Sequence, residues 1–154
     1  YPEPCSPNIA AAVNGSEINL DRITSSFKQL NDAYELVVVE AVGGWKVPIQ
    51  ENISVADLAK VLGIPVILVV GIKLGCINHA ILTAESIKDS KVNVVGWVAN
   101  LFDENILFPD EVLNTLSNSL EFPLLQRIRK DASVESAKCF TGRILENIGG
   151  NNCF

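Results

Sequence analysis

Glu40 stands where an acid needs a reason. It closes the run "ELVVVE", in which Leu36 to Val39 are apolar and β-branched enough for a strand buried on both faces, and Gly43, Gly44, Trp45 and Pro48 follow it closely. A carboxylate at the mouth of such a strand requires a partner or a task, because an isolated buried charge is costly. As a hard oxygen donor Glu40 suits a magnesium ion, directly or through water; as an ordinary acid it would cap a nearby helix or pair with a lysine. Position alone leaves both open. Gly43 and Gly44 either let backbone N–H groups approach a phosphate or simply turn the chain.

Two other stretches carry chemical potential. "GCINH", Gly75 to His79, opens a helix, and the unsatisfied N–H groups and dipole of a helix start favour an anion. Most helix starts nevertheless bind only water or their own caps. Asn100 ends another apolar run, where its amide could read a nucleobase edge or tie down a loop. His79 is the only histidine, and in a first helical turn it reads more readily as a surface or interface residue than as a catalyst. Lys73 reads as solvent-facing and Asp57 as a cap. No serine or cysteine has a recognisable base partner, so a nucleophilic triad is not supported. Cys5, Cys76, Cys139 and Cys153 are scattered, with no CxxC pair and no histidine at ligand spacing, as expected for reduced thiols in a cytoplasmic protein.

The elements that must position these residues follow from hydrophobic pattern. "ELVVVE", "PVILVVG" and "VNVVGWVAN" are continuous apolar runs rather than alternating ones, the pattern of parallel strands covered by helices on both faces. Between them lie two helices. "SVADLAKVLG" carries a capping box at Ser54 and Asp57 and a C-terminal Gly63; "INHAILTAESIKDS" places Ile77, Ile81, Ala84 and Ile87 on one stripe. Upstream, "YPEPCSPNIAAAVNG" reads as a loop and a short helix, and Leu20, Ile23, Phe27 and Leu30 mark an amphipathic helix. Downstream, "FPDEVLNTLSNSL" and "SVESAKCFTGRILENIGG" predict helices flanking a short strand at "PLLQRI". The expectation is one α/β domain over residues 1–154, with a mostly parallel sheet and right-handed crossovers. Ligands of such sheets bind beyond the carboxyl ends of the strands, which gathers Glu40, Gly71 and Asn100 on one edge.

Bulk properties narrow the partners. The 154 residues are 48% hydrophobic, enough for a sizeable core, and 12 basic against 18 acidic residues give a net charge of −6 with no basic run, which argues against nucleic acid. The longest apolar stretch, "GIPVILVVGI", is too short to span a bilayer, and no signal peptide is visible. The chain starts at Tyr1 and has no methionine, so it reads as a fragment.

Three blocks in order, "VVVEAVGGWKVPI", "ADLAKVLGIPVILVVGIKLGCINHAILTAESI" and "GWVAN", together with "EPCSPNIAA" at the start, closely resemble the dethiobiotin synthetase family over about residues 1–101. The resemblance implies the C-terminal two-thirds of a P-loop NTPase-like, three-layer α/β domain, working as a homodimer. It implies ATP as co-substrate, Mg²⁺ as cofactor, and closure of a ureido ring on 7,8-diaminononanoate with CO₂. By the same resemblance Glu40 is a magnesium ligand, the backbone of Glu40, Ala41, Val42 and Gly43 lines the nucleotide phosphates, and Asn100 contacts adenine. Gly75, Cys76, Ile77 and Asn78 then hold the substrate carboxylate across the dimer interface. This chain departs from the family in having Ala41 and Val42 where Gly-Ala is usual, and "QRIRKDAS" where an Ile-Pro-type turn is usual. No GxxxxGK[ST] loop occurs in the 154 residues, and the family's lysine and second acidic ligand lie in that upstream portion, so the chain is expected to be catalytically incomplete. The alternatives are a non-catalytic truncated remnant and a related P-loop ATPase of the partitioning or amidotransferase kind.

Overall fold

The computed structural model describes residues 1–132. The helix expected at "SVESAKCFTGRILENIGG", with Cys139 and Cys153, lies outside the described residues. The fold is α/β, a parallel sheet flanked by helices, and the chain divides into two compact units, Tyr1–Ile64 and a second that begins at Pro65.

In the first unit, α1 (Pro7–Val13) starts with proline, whose missing N–H is no loss at a helix start, and buries Ala10 and Ala11. Helix α2 (Leu20–Ala33) is capped by Asn19, whose Oδ1 accepts the Arg22 N–H at 2.8 Å. Its expected apolar stripe is present, but no α2 residue is fully buried. A hairpin follows, β1 (Pro48–Gln50) antiparallel to β2 (Ile53–Ser54), closed over Glu51 and Asn52 with Asn52 at φ 61°. Asparagine tolerates that left-handed conformation better than most residues.

Helix α3 (Val55–Leu62) then forms where Ser54 and Asp57 predict it. Both the Ser54 N–H (3.0 Å) and the Ser54 hydroxyl (2.6 Å) donate to Asp57 Oδ2. Two further helix-start donors reach back to the preceding segment: Val55 N–H to the Val47 carbonyl at 3.0 Å and Ala56 N–H to the Trp45 carbonyl at 2.9 Å. At the other end Gly63, at φ 65°, closes the helix on the Ala59 and Lys60 carbonyls.

One expected strand is not formed. Leu36–Val39 runs outside both sheets, and Val38 is 83% exposed. Apolar, β-branched composition favours a strand only where a neighbouring backbone supplies the ladder, and no described strand pairs with this run.

The second unit is built on β3 (Val66–Gly71), β4 (Val94–Leu101) and β5 (Leu124–Arg129), parallel and in the order β3-β4-β5. Helices α4 (Cys76–Asp89) and α5 (Pro109–Ser119) make the crossovers. The main core joins Val70, Ile72, Trp97 and Ala99 of the sheet region to Cys76, Ala80 and Ala84 of α4 and to Leu113 and Leu116 of α5. A second cluster, Val95, Val98 and Leu125 with Ile67 and Ile128, fills the other face. Strands β4 and β5 approach closely at Gly96, where a Cβ would lie 2.6 Å from the Pro123 carbonyl oxygen, beside a register shift between Trp97 and Val98.

Candidate functional site

The carboxyl ends of β3 and β4 lie side by side, because Gly71 is the register partner of Asn100. The Ile72 N–H donates to the Asn100 carbonyl at 2.8 Å, which prolongs the ladder by one bond and fixes the Asn100 backbone. The Asn100 side chain is only partly buried and its amide is engaged by no described neighbour. An amide with a free donor and a free acceptor at this edge can read a planar hydrogen-bonding ligand.

Beside it, Gly75 takes φ 89° and delivers the chain into α4 with no side-chain cap. The Cys76 N–H turns back to the Lys73 carbonyl at 3.0 Å, and the His79 N–H bonds the Gly75 carbonyl at 3.3 Å. The backbone N–H groups of Ile77 and Asn78 therefore remain the helix-start donors through which an anion would be held. The Cys76 side chain is buried in the core and contributes only its backbone to this edge. Exposed Lys73, Leu74 and His79 surround the helix start.

Glu40 does not close a strand, because the run before it belongs to neither sheet. Within the first unit it is exposed, forms no ion pair among the described residues, and lines an open groove with Val38, Val39, Arg22, Phe27 and Leu30. Ala41 and Val42 are also exposed. The turn that follows uses its own amides: Gly44 N–H donates to the Val42 carbonyl at 2.9 Å and Val47 N–H to the Gly44 carbonyl at 3.2 Å. Gly43 adopts φ 77°, and a Cβ there would sit 2.9 Å from Val47 Cγ2, so the plain-turn reading accounts for this glycine by itself.

Among the described residues no three histidine, cysteine, aspartate or glutamate side chains are grouped to hold a metal. Glu40 suits magnesium as one oxygen ligand, but the described residues alone do not make a magnesium centre. Cys5 and Cys76 are free thiols. No described helix is long and apolar enough to cross a membrane.

Two features escaped sequence reasoning. Phe102 lies against Gly71 at the strand ends, and the Trp45 and Val47 carbonyls cap α3. Neither has a local signature, since each joins residues several positions or a whole crossover apart.

The AAA domain family matches residues 1–138. The ATP-dependent dethiobiotin synthetase BioD of Aromatoleum aromaticum is 44% identical over 135 residues, 88% of this chain and 60% of that protein. The proteins of the same name from a Janthinobacterium species and from Xanthomonas oryzae pv. oryzae are each 42% identical, over 80% and 88% of this chain and 52% and 61% of theirs. The chain thus spans little more than half the length of the curated relatives it matches. The family match over residues 1–138 shows that the chain belongs to the AAA domain family, and over most of its length it is similar to proteins named dethiobiotin synthetases.

Proposed function

We propose that the protein carrying this chain is an ATP-dependent dethiobiotin synthetase, a ligase of biotin biosynthesis. The observation that carries the reading is the 44% identity over 135 residues, 88% of the chain. In the proposed reaction one amine of 7,8-diaminononanoate takes up CO₂ as a carbamate. ATP phosphorylates the carbamate, and the second amine attacks its carbonyl, closing the ureido ring and releasing phosphate and ADP.

The roles fall on residues of this chain as follows. Asn100 orients adenine through its side-chain amide. The backbone of Glu40, Ala41, Val42 and Gly43 follows the nucleotide phosphates, and Glu40 would hold Mg²⁺, whose contribution when bound is to neutralise charge on the phosphoryl oxygens. The helix start from Gly75 to Asn78 holds the substrate carboxylate with backbone N–H groups, across the interface of a homodimer. The 154 residues contain no GxxxxGK[ST] loop, so the isolated chain is proposed to lack turnover. A cytoplasmic location and the single-domain reading of residues 1–154 belong to the same proposal.

The test uses the full-length protein, with dethiobiotin and ADP measured together. Glu40→Gln should keep the fold and lower kcat/KM for Mg·ATP by on the order of a hundredfold, because an amide cannot replace a carboxylate as a hard-cation ligand. Wild-type turnover and unchanged magnesium dependence in the variant would remove Glu40 from the site. Absence of dethiobiotin formation by the unsubstituted protein would remove the assignment.

A further inference from the structure

Gly71 and Asn100 are register partners, so their side-chain positions lie on the same face of the sheet. A Cβ built on Gly71 would fall 2.8 Å from Phe102 Cε1. The Phe102 ring therefore occupies, on the face of Asn100, the space that any larger residue at 71 would fill. The ring is 48% exposed although it is packed down, and Val69, two residues before Gly71 and hence on the same face, is 60% exposed. The result is an open shelf: a half-exposed aromatic ring lying over Gly71, an exposed valine on the same face, and a side-chain amide engaged by no described neighbour at one margin.

We infer that Phe102 is a stacking platform for the adenine of ATP, and that Gly71 is glycine so that the ring can lie down beside Asn100. The inference rests on the adenine reading of Asn100 given above. The chemistry on each side of the shelf is complementary. An asparagine amide can donate to N7 and accept from N6 of adenine in the plane of the base, while a phenylalanine face offers area to its π surface. Hydrogen bonding specifies the base edge, and stacking adds affinity that is nearly indifferent to which base is bound. Gly71 touches no ligand in this scheme and acts as a positioning residue through the ring.

The experiment measures ATP and inorganic tripolyphosphate binding to the full-length protein by calorimetry, and the adenine H2 and H8 resonances of bound ATP by NMR. Phe102→Leu keeps apolar bulk and loses the ring; it should weaken ATP about tenfold, within the range for one stacked base, and leave tripolyphosphate binding unchanged. The upfield ring-current shift of H2 and H8 seen with the unsubstituted protein should vanish in Phe102→Leu and persist in Phe102→Trp. Gly71→Ala, which displaces the ring, should lose part of both signals.

Unaltered ATP affinity with an intact upfield shift in Phe102→Leu overturns stacking. If Asn100→Ala then still weakens ATP but not tripolyphosphate, the adenine reading survives alone. If neither substitution affects ATP, both readings fall. Equal loss of ATP and tripolyphosphate binding in Phe102→Leu, with a lowered melting temperature, marks the ring as structural and also overturns the proposal.

Discussion

At the scale of single residues, backbone conformation decides more than side-chain identity. Gly43 illustrates this, since its φ of 77° and the 2.9 Å approach of Val47 Cγ2 to its missing Cβ both oppose a side chain. Gly43→Ala should therefore destabilise the first unit by about 1 kcal/mol or more, the cost of left-handed backbone for an L-residue together with the displaced valine. Urea denaturation followed by far-UV circular dichroism measures it. Gly44, at φ 153°, has open space around its Cβ position, so Gly44→Ala carries backbone strain without a displaced neighbour and reports the backbone part of the cost alone. The two glycines are adjacent and alike in sequence, and their backbone angles and the position of Val47 separate them. The residue identities of the candidate site were legible in the same partial way. Asn100 and the Gly75 to Asn78 stretch stand where strand-end and helix-start rules put them, whereas Phe102 was unreadable until Gly71 was seen beneath its ring.

At the scale of elements, α3 shows a local code carried out in full. Ser54, Asp57 and Gly63 specify both its ends, and the structure places Ser54 N–H and hydroxyl on one Asp57 oxygen. Those two hydrogen bonds, first the hydroxyl and then the N–H, hold the Asp57 carboxyl below the usual carboxylate value, with Lys60 and Lys46 adding smaller attraction. A carboxyl whose value is depressed by folding stabilises the fold at pH above its ordinary unfolded value of about 3.9 and loses that contribution as the pH falls through the lower folded value. Asp57→Asn should thus lower stability at pH 7 by about 1 kcal/mol or less, in keeping with a half-exposed capping residue. The difference in melting temperature from the unsubstituted protein should narrow as pH drops below about 4. A constant difference from pH 7 into acid would show that the charge of Asp57 contributes nothing.

At the scale of the molecule, the second unit rests on a core in which α4 and α5 meet the sheet. Leu116 is fully buried there beside Leu113 and Trp97. Leu116→Ala should cost about 2–5 kcal/mol, set by how far the cavity collapses, and chemical denaturation would resolve this as a shift of midpoint at unchanged slope. Helices α1 to α5 and strands β3 to β5 follow from the apolar runs, caps and breakers of the sequence, because a helix satisfies its backbone internally, β3 and β4 are nearly continuous apolar runs, and β5 carries Leu124, Leu125 and Ile128 among polar residues. The β1–β2 hairpin has no signature in the sequence, since its strands are three and two residues long and carry no periodicity. "ELVVVE" matches β3 in its apolar, β-branched composition, yet Leu36–Val39 stands outside both sheets. A strand draws its hydrogen bonds from a neighbour distant in the chain, and composition cannot state whether that neighbour is there. The sequence by itself determined the chemistry on offer: a carboxylate at Glu40, an amide at Asn100, a glycine-led helix start at Gly75 and the family to which they belong. Only the tertiary structure decided which residues meet at the strand ends, Asn100 with Gly71 and Phe102, because strand pairing and close packing are properties of residues brought together by the fold.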